Sequence, residues 1–230
     1  MSADISFLAG IPVVLASGSP RRIEMLRAHG IDPVVLPADI DESIPCGLSV
    51  RQAVMYLALK KALASAGTYG ASRENRGGAP PFVIAADTVV YREGTGIFGK
   101  PASREEARRM LDVLRNSDHT VCTGVAVLRG VCVRARGGAG ESRRDEPVSK
   151  RVFFEEAQVF FKDYPQSVIE AYIASGEPFD KAGGYAVQGG FGVHVDRIVG
   201  DVHTVTGFPW ERTRRELAAM AAAFRPPDRS

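Results

Sequence analysis

A strand-like run passes directly into a helix start near the beginning of the chain. The apolar stretch VVLAS at 13–17 is typical of a buried strand. Ser19 and Pro20 follow it, and their residue types are favoured at the N-cap and the first position of a helix, which Gly30 is placed to end. A strand that turns at once into a helix favours an α/β fold, because helices connected in this way pack on a sheet.

The alternation of strand-like and helical patterns continues along the chain. The clearest helix covers 103–114, where Ser103 and Glu106 form a capping box and apolar residues recur at helical spacing. The other predicted strands are PVVLP at 33–37, FVIAADTVVY at 82–91, two strands in a hairpin over 120–135 and one strand over 148–161, and the other predicted helices begin at Ser49, cover about 165–175 and run from about Pro209 to Phe224. These patterns predict an α/β fold, and the length of the chain allows one large domain or two lobes.

Two stretches interrupt this alternation. The first covers 67–81 and the second covers 134–147, and both are rich in glycine and charged residues. Segments of this composition bury too little apolar surface to order their own backbone. Both stretches are therefore predicted to be flexible loop insertions.

The charge balance argues against general nucleic-acid binding. The chain has 230 residues, with 29 Lys and Arg against 27 Asp and Glu, for a net charge of +2, whereas nucleic-acid binding requires a basic surface. Three cysteines without a CxxC pair argue against a disulfide framework or a structural zinc site. No apolar run approaches the ~18 residues of a membrane span, and the N-terminal stretch carries Asp4 without a basic start, so we expect a cytoplasmic protein with no membrane partner.

Two arginines occupy the first turn of the helix that starts at Pro20. A helix N-terminus already carries partial positive charge, so Arg21 and Arg22 are unfavourable there unless an anion offsets them. Phosphate is the natural anion, since helix N-termini bind it and the guanidinium group matches its oxygens. The alternative, which stays open, is a pair of solvated surface arginines.

Asp87 is the one charged residue inside the β-prone run at 82–91. A carboxylate in an apolar strand is costly to bury unless it is paired or bound to a metal, and sites in α/β sheets gather beyond strand ends. Asp87 is therefore a candidate metal ligand or a base for water. The alternative is an aspartate that caps the following turn.

Three lysines and one glutamate extend this candidate site. Lys61 lies on an apolar helical stripe, Lys100 lies in a tight turn between glycine and proline, and Lys181 lies beside glycine-rich turns. Each lysine alone is weak evidence for a binding site, and Lys61 is also explained as a lysine at the rim of the core. Together with Glu42 and the residues above, they favour a site for polyphosphate and Mg²⁺ in which carboxylates hold the metal. The site is not a P-loop, because the chain lacks GxxxxGK[ST].

Eight segments of the chain appear in an order that resembles the Maf (septum formation) family. They are LASGSPRR, DIDESIP, LALKKALA, AADTVV, FGKP, HTVCTGVAV, FDKAGGYAVQG and TVTGFP, within a match over about 12–226. The resemblance implies a metal-dependent nucleoside triphosphate pyrophosphatase that cuts between the α- and β-phosphates and forms a homodimer. It also implies that the whole chain, 1–230, is a single domain with a two-lobed α/β fold, a mixed sheet and a central cleft, similar to the inosine triphosphatase fold.

The resemblance also implies a role for each matched residue. Asp87 becomes the base that activates water, and Glu42 and Asp87 become ligands of a divalent metal, Mg²⁺ with Mn²⁺ or Co²⁺ as alternatives. The residues implied to contact the nucleotide are Ser17, Arg21, Arg22, Lys61, Thr88, Lys100, Lys181 and Gln188. For the lysine pair in the long helix, the match selects Lys61 and not its neighbour.

Three of these positions bear on the choice of base. Arg21, Thr88 and Gln188 match the branch of the family implied to act on dTTP and UTP, and the resemblance leaves modified pyrimidine nucleotides open. A glutamine amide both donates and accepts, which suits the O4 and N3–H edge of uracil or thymine. Two alternatives stay open: a pyrophosphatase for 7-methyl-GTP, ITP or XTP, and a regulator of cell division that binds a nucleotide without turnover.

Overall fold

The computed structural model describes residues 4–71, 79–130 and 149–224. The strands are β1 (Val13–Leu15), β2 (Val34–Val35), β3 (Phe82–Arg92), β4 (Gly96–Phe98), β5 (Asp118–Arg129), β6 (Ser149–Phe161) and β7 (Val195–Val199). The α-helices are α1 (Pro20–Ala28), α2 (Val50–Ala71), α3 (Arg104–Leu114), α4 (Gln166–Ala174), α5 (Val202–Val205) and α6 (Trp210–Ala223). Short 3₁₀-helices at Glu177–Asp180, Ala182–Gly184 and Gly190–His194 join α4 to β7.

The described strands form one mixed sheet, as the sequence predicts. Its order is β2-β1-β3-β5-β6-β7, and β4 pairs with β3 outside this path. The pairs of β1 with β2 and with β3 are parallel, and every other strand pair is antiparallel. Strands separated by helices form the parallel part, because a parallel neighbour requires a crossover connection.

The predicted helix starts are confirmed. Ser103 is the N-cap of α3, and its side chain accepts a hydrogen bond from the backbone N–H of Glu106. The Glu106 carboxylate accepts a hydrogen bond from the backbone N–H of Ala102 at 2.8 Å, whereas a capping box would use the N–H of the N-cap residue Ser103. Ser19 is the N-cap of α1 with Pro20 as its first residue, although the Ser19 side chain makes no capping bond.

One sequence prediction needs correction, and two others reach beyond the described residues. Of the two strands expected as a hairpin over 120–135, the first is observed as β5 up to Arg129, and 131–135 lie outside the described residues, so the hairpin stays a prediction. The loop expected at 67–81 begins later, because α2 continues to Ala71. The second predicted loop, 134–147, lies outside the described residues.

Two lobes share the long strands β3, β5 and β6. In the first lobe, one sheet face packs on α1 and α6 around Phe82, Ile84 and Trp210, and the other face packs on α2 around Ala58 and Ala62. In the second lobe, the core contains buried residues of α3, α4 and the segment that joins α4 to β7, among them Leu111, Ile169, Tyr185 and Phe191. The middle of β3 therefore lies where the two cores meet.

The edge of β3 is open at this junction. On the side away from β5, β1 pairs with 82–84 and β4 pairs with 90–92. Residues 85–89 have no strand partner on that side among the described residues. Side chains at this gap can meet groups from both faces of the sheet, and Asp87 and Thr88 lie in it.

A glycine lets α2 approach the sheet beside this gap. Gly124 pairs with Asp87 across β3 and β5. A Cβ at Gly124 would lie 2.5 Å from the carbonyl carbon and oxygen of Val54 in α2. A larger residue there would push α2 outward, so Gly124 fixes the distance between this helix and the sheet.

None of the described helices is both long and apolar enough to span a membrane.

Candidate functional site

Asp87 and Lys61 form the centre of the candidate site. Alternation along β3 directs residues 83, 85 and 87 to the face covered by α2. Lys61 on α2 places its Nζ 2.6 Å from Asp87 Oδ1 and 2.9 Å from Glu42 Oε1. The neighbouring Lys60 points elsewhere and donates to the backbone carbonyl of Asp41. The structure thus brings together the lysine and the two carboxylates that the sequence selects.

Arg22 lies at the opposite side of the gap, where its guanidinium group is held by three hydrogen bonds. Nε donates to the carbonyl of Gly207 at 2.9 Å, Nη1 to Ser17 Oγ at 3.0 Å and Nη2 to Thr88 Oγ1 at 3.2 Å. Burial lowers the pKa of Arg22 to about 10, and the charge of Asp87 opposes that shift. Arg22 therefore stays protonated at neutral pH and presents a fixed positive charge to the gap.

Lys181 is held by two oxygen atoms of the 3₁₀-helix that precedes it. Lys181 Nζ donates to Asp180 Oδ1 at 2.5 Å and to the carbonyl of Glu177 at 2.7 Å. The hydrogen bond from Lys181 lowers the pKa of Asp180, and the charge of Arg21 contributes in the same direction. The start of α1, which carries Arg21, is therefore close enough to the Lys181 segment for the Arg21 charge to act on Asp180.

Lys100 is exposed on a turn that packs against the same 3₁₀ region. The carbonyl of Gly99 accepts a hydrogen bond from the backbone N–H of Gly183 at 3.0 Å. A Cβ at Gly184, which has φ +71°, would lie 3.7 Å from Pro101 Cγ. These contacts place the base of the Lys100 side chain beside the segment that carries Lys181, with its ammonium group in solvent.

Gln188 is exposed on a turn supported by Glu177. Tyr172 Oη donates to Glu177 Oε1 at 3.2 Å, and the backbone nitrogen of Gly190 lies 3.4 Å from Oε2. A Cβ at Gly189 would lie 1.8 Å from Glu177 Oε1, so the carboxylate packs directly against the backbone of the turn and a larger residue at 189 would displace it. Glu177 therefore positions the turn that presents the Gln188 amide.

A comparison with protein families identifies the family of the chain. A family model described as Maf-like protein matches residues 12–220. The chain belongs to the Maf-like protein family. The resemblance drawn from the sequence motifs is thereby confirmed.

Curated relatives in the Maf-like family share most of their length with the chain. A dTTP/UTP pyrophosphatase of Geobacillus sp. (strain WCH70) is 40% identical over 208 residues, which is 90% of this chain and 97% of that protein. A dTTP/UTP pyrophosphatase of Bacillus anthracis is 38% identical over 205 residues, which is 89% of this chain and 93% of that protein. Among solved structures, a HAM1 protein from Coxiella burnetii aligns with a TM-score of 0.44 and 12% identity, over 93% of this chain and 100% of that one.

The carboxylates at the site suit a metal only in combination with a substrate. No group of three or more His, Cys, Asp or Glu residues placed to hold a metal occurs in the described parts of this Maf-like chain. Glu42 and Asp87 offer two carboxylates around Lys61. Mg²⁺ commonly takes one or two protein carboxylates and completes its shell with phosphate oxygens and water. The donor set therefore fits Mg²⁺ that binds together with a triphosphate.

The sequence analysis missed several residues that support the site. They are Thr123, Glu177, Asp180, and the backbone carbonyls of Thr204 and Gly207. Thr123 and Gly207 fall inside segments that carried the family resemblance, which gave them no individual role. Backbone carbonyls have no sequence signal at all, because every residue has one.

An open depression of about 470 Å³ lies elsewhere on the surface. Its lining comes from residues 152–156 of β6, Met55 and Arg212. None of the predicted site residues contributes to it. We place the candidate site at the gap in the edge of β3 because the charged groups converge there.

Proposed function

We propose that this chain is a nucleoside triphosphate pyrophosphatase that hydrolyses dTTP and UTP to the monophosphate and pyrophosphate. The curated relatives that carry this name, at 38% and 40% identity, support the proposal. The observation that carries it is the position of Lys61 between Asp87 and Glu42, with the cation of Arg22 at the same gap. This group combines a carboxylate able to take a proton with cations able to hold phosphates.

In the proposed reaction, Asp87 accepts the proton of the attacking water. Lys61 binds Oδ1, which leaves Oδ2 to receive the proton. The water oxygen attacks the α-phosphorus, the bond from that phosphorus to the bridging oxygen breaks, and pyrophosphate leaves with the electron pair. Arg22 and Lys181 stabilise the charge that develops on the phosphate oxygens.

The remaining cations and a metal complete the proposed substrate site. Arg21 and Lys100 reach the phosphates from the turns around the gap, and Ser17 supplies a hydroxyl group at the start of α1. Glu42 and Asp87 are the groups that would hold Mg²⁺, with Mn²⁺ or Co²⁺ as alternatives. When bound, the metal supplies further neutralisation of the phosphate charge.

The Gln188 amide is proposed to read the base. It accepts from N3–H and donates to O4 of uracil or thymine. Neither of these contacts involves C5 of the ring, so the proposal includes pyrimidine nucleotides modified at C5. The homodimer and the cytoplasmic location expected from the sequence remain predictions, and light scattering on the purified protein tests the former.

Product analysis tests the proposed reaction. Purified protein is incubated with UTP and Mg²⁺, and the products are separated by ion-exchange chromatography, with Asp87→Asn as the control for contaminating enzymes. We expect UMP and pyrophosphate in equal amounts from the wild type only. UDP with inorganic phosphate would overturn the assignment, and tight UTP binding without any product would favour the regulator of cell division.

A further inference from the structure

Thr123 is a fully buried hydroxyl residue beside the site. It lies in β5 directly opposite Thr88 of β3, and its side chain is inaccessible to solvent. Its Oγ1 lies 2.8 Å from the backbone carbonyl oxygen of Thr204 and 3.0 Å from Thr88 Oγ1. A buried hydroxyl between two polar groups has a defined hydrogen-bond direction, because it has a single proton.

The direction of each hydrogen bond in this series follows from its last acceptor, the carbonyl of Thr204. The carbonyl of Thr204 can only accept, so Thr123 donates its one proton there. The bond between the two hydroxyl groups must then use the proton of Thr88, with Thr123 as acceptor. The Thr88 oxygen in turn accepts from Arg22 Nη2. Donation therefore runs from Arg22 through Thr88 and Thr123 to Thr204.

The hydrogen bonds close into a ring around Arg22. Arg22 Nε donates to the carbonyl of Gly207, and the N–H of Gly207 donates to the carbonyl of Thr204 at 3.1 Å. A Cβ at Gly207, where φ is +91°, would lie 3.1 Å from Thr88 Oγ1. The ring thus ties α1, β3, β5 and α5 together at one guanidinium group.

This ring determines which protons are free for a ligand. Arg22 has five N–H groups, and three of them are committed to Gly207, Ser17 and Thr88. One N–H remains on each terminal nitrogen. Ser17 Oγ accepts from Arg22 and from the backbone N–H of Ser19, so its own proton remains to be donated. The Thr88 proton, in contrast, is already used.

We propose that Thr123 is a positioning residue that acts through Thr88 to aim the two free N–H groups of Arg22 at a triphosphate. Thr88 then serves as the acceptor that holds Arg22, in place of a hydroxyl donor to the nucleotide. The proposal rests on the proposed function in one respect only, which is that the anion at the gap is a triphosphate.

The test compares Thr123→Val with Thr123→Ser. Valine keeps the volume and removes the acceptor for the Thr88 proton, whereas serine keeps the hydroxyl group. For UTP hydrolysis we expect Thr123→Val to raise KM about three- to tenfold with a smaller effect on kcat, since one buried hydrogen-bond link is lost. Thr123→Ser should stay within about twofold of the wild type. An unchanged KM in Thr123→Val with only a lower melting temperature would overturn the proposal.

A second variant and a double mutant make the test independent of folding. Thr88→Val removes the hydroxyl group that joins Arg22 to Thr123. It should raise KM in the same way, and it tests the proposal even if Thr123→Val fails to fold. In an Arg22→Ala background, adding Thr123→Val should not weaken the binding of inorganic triphosphate further, because the two changes act through one group. Additive losses would overturn the proposal. Absence of UTP turnover in the wild type would instead refute the proposed function, and triphosphate binding would still test Thr123.

Discussion

Lys61 Nζ lies 2.6 Å from Asp87 Oδ1, at the point where the cores of the two lobes meet. The same nitrogen lies 2.9 Å from Glu42 Oε1. One ammonium group thus offsets two carboxylates that would otherwise repel each other and any triphosphate near them. The neighbouring Lys60 has no part in this pair, so the two lysines form a matched set for experiment.

Replacing Lys61 by methionine should weaken both folding and catalysis. The Asp87 carboxylate is 15% exposed and would be left without its cation. We expect a loss of about 1–3 kcal/mol in the free energy of unfolding and of about tenfold or more in kcat/KM. Lys60→Met is the control and should be close to wild type in both urea denaturation and UTP kinetics. Equal effects of the two substitutions would contradict the assignment of Lys61, and not Lys60, to the candidate site.

Asp87→Asn should abolish most turnover and preserve binding. The amide keeps the size of the side chain but cannot accept the proton from water. We expect kcat to fall at least ~100-fold, the lower range for removal of a general base. Nucleotide binding, measured by calorimetry, should survive in part because the cations remain. A variant that keeps more than about half of its activity would identify Asp87 as a structural partner of Lys61.

Gln188→Glu should change the order of preferred nucleotides. The carboxylate would face the O4 carbonyl of uracil or thymine without a proton to donate, at a cost of roughly 1–3 kcal/mol. This corresponds to about 5- to 150-fold in kcat/KM for UTP and dTTP, with 7-methyl-GTP gaining relative to them. Gln158→Glu, an exposed position on β6, controls for the added charge. Equal losses for all nucleotides would show that Gln188 does not contact the base.

Gly124→Ala should destabilise the fold. The new methyl group would lie 2.5 Å from the carbonyl of Val54, which belongs to a helix backbone and cannot rotate away. We expect a loss of about 1–3 kcal/mol or more, seen as a lower melting temperature. Gly67→Ala in α2 is the control, since nothing lies within 4 Å of its added Cβ, and it should stabilise by up to about 1 kcal/mol. A melting temperature unchanged by Gly124→Ala would show that α2 can shift freely.

Acidification should destabilise the protein through His119. This side chain is buried and contacts Tyr185 Oη at 2.6 Å, and burial lowers its pKa to about 4. Between the ordinary histidine pKa of ~6.5 and that value, the unfolded chain binds a proton that the folded chain excludes. Stability is therefore full above this window and falls by up to about 3 kcal/mol as the pH drops through it.

Urea denaturation at pH 7 and at pH 4.5 measures this effect. His119→Gln keeps a polar group beside Tyr185 and does not titrate, so its stability should depend less on pH than that of the wild type. Identical pH dependence in the two proteins would assign the acid sensitivity to other groups.

Much of the local structure was predictable, because it depends on neighbours in sequence. The N-cap at Ser103 and the turn from β1 into α1 follow from side chains within four residues of each other. Helical spacing placed Lys61 on the apolar stripe of its helix, and the family resemblance selected it over Lys60; in the structure Lys61 contacts Asp87 of the sheet and Lys60 does not. In contrast, the loop start expected at 67 was wrong, since a glycine inside a helical pattern does not reveal whether the helix continues.

The amino-acid sequence alone determined the α/β class, most of the helices and strands, the family resemblance and the choice of Arg22, Lys61 and Asp87 as candidate site residues. Only the tertiary structure decided how those residues are connected. Thr88 and Thr123 are 35 residues apart and meet through the register of β3 with β5. The register also determines that Thr88 donates its proton to Thr123 Oγ1, because Thr123 donates its own proton to the carbonyl of Thr204. Hydrogen-bond directions depend on such long-range pairing, whereas residue types and local spacing do not.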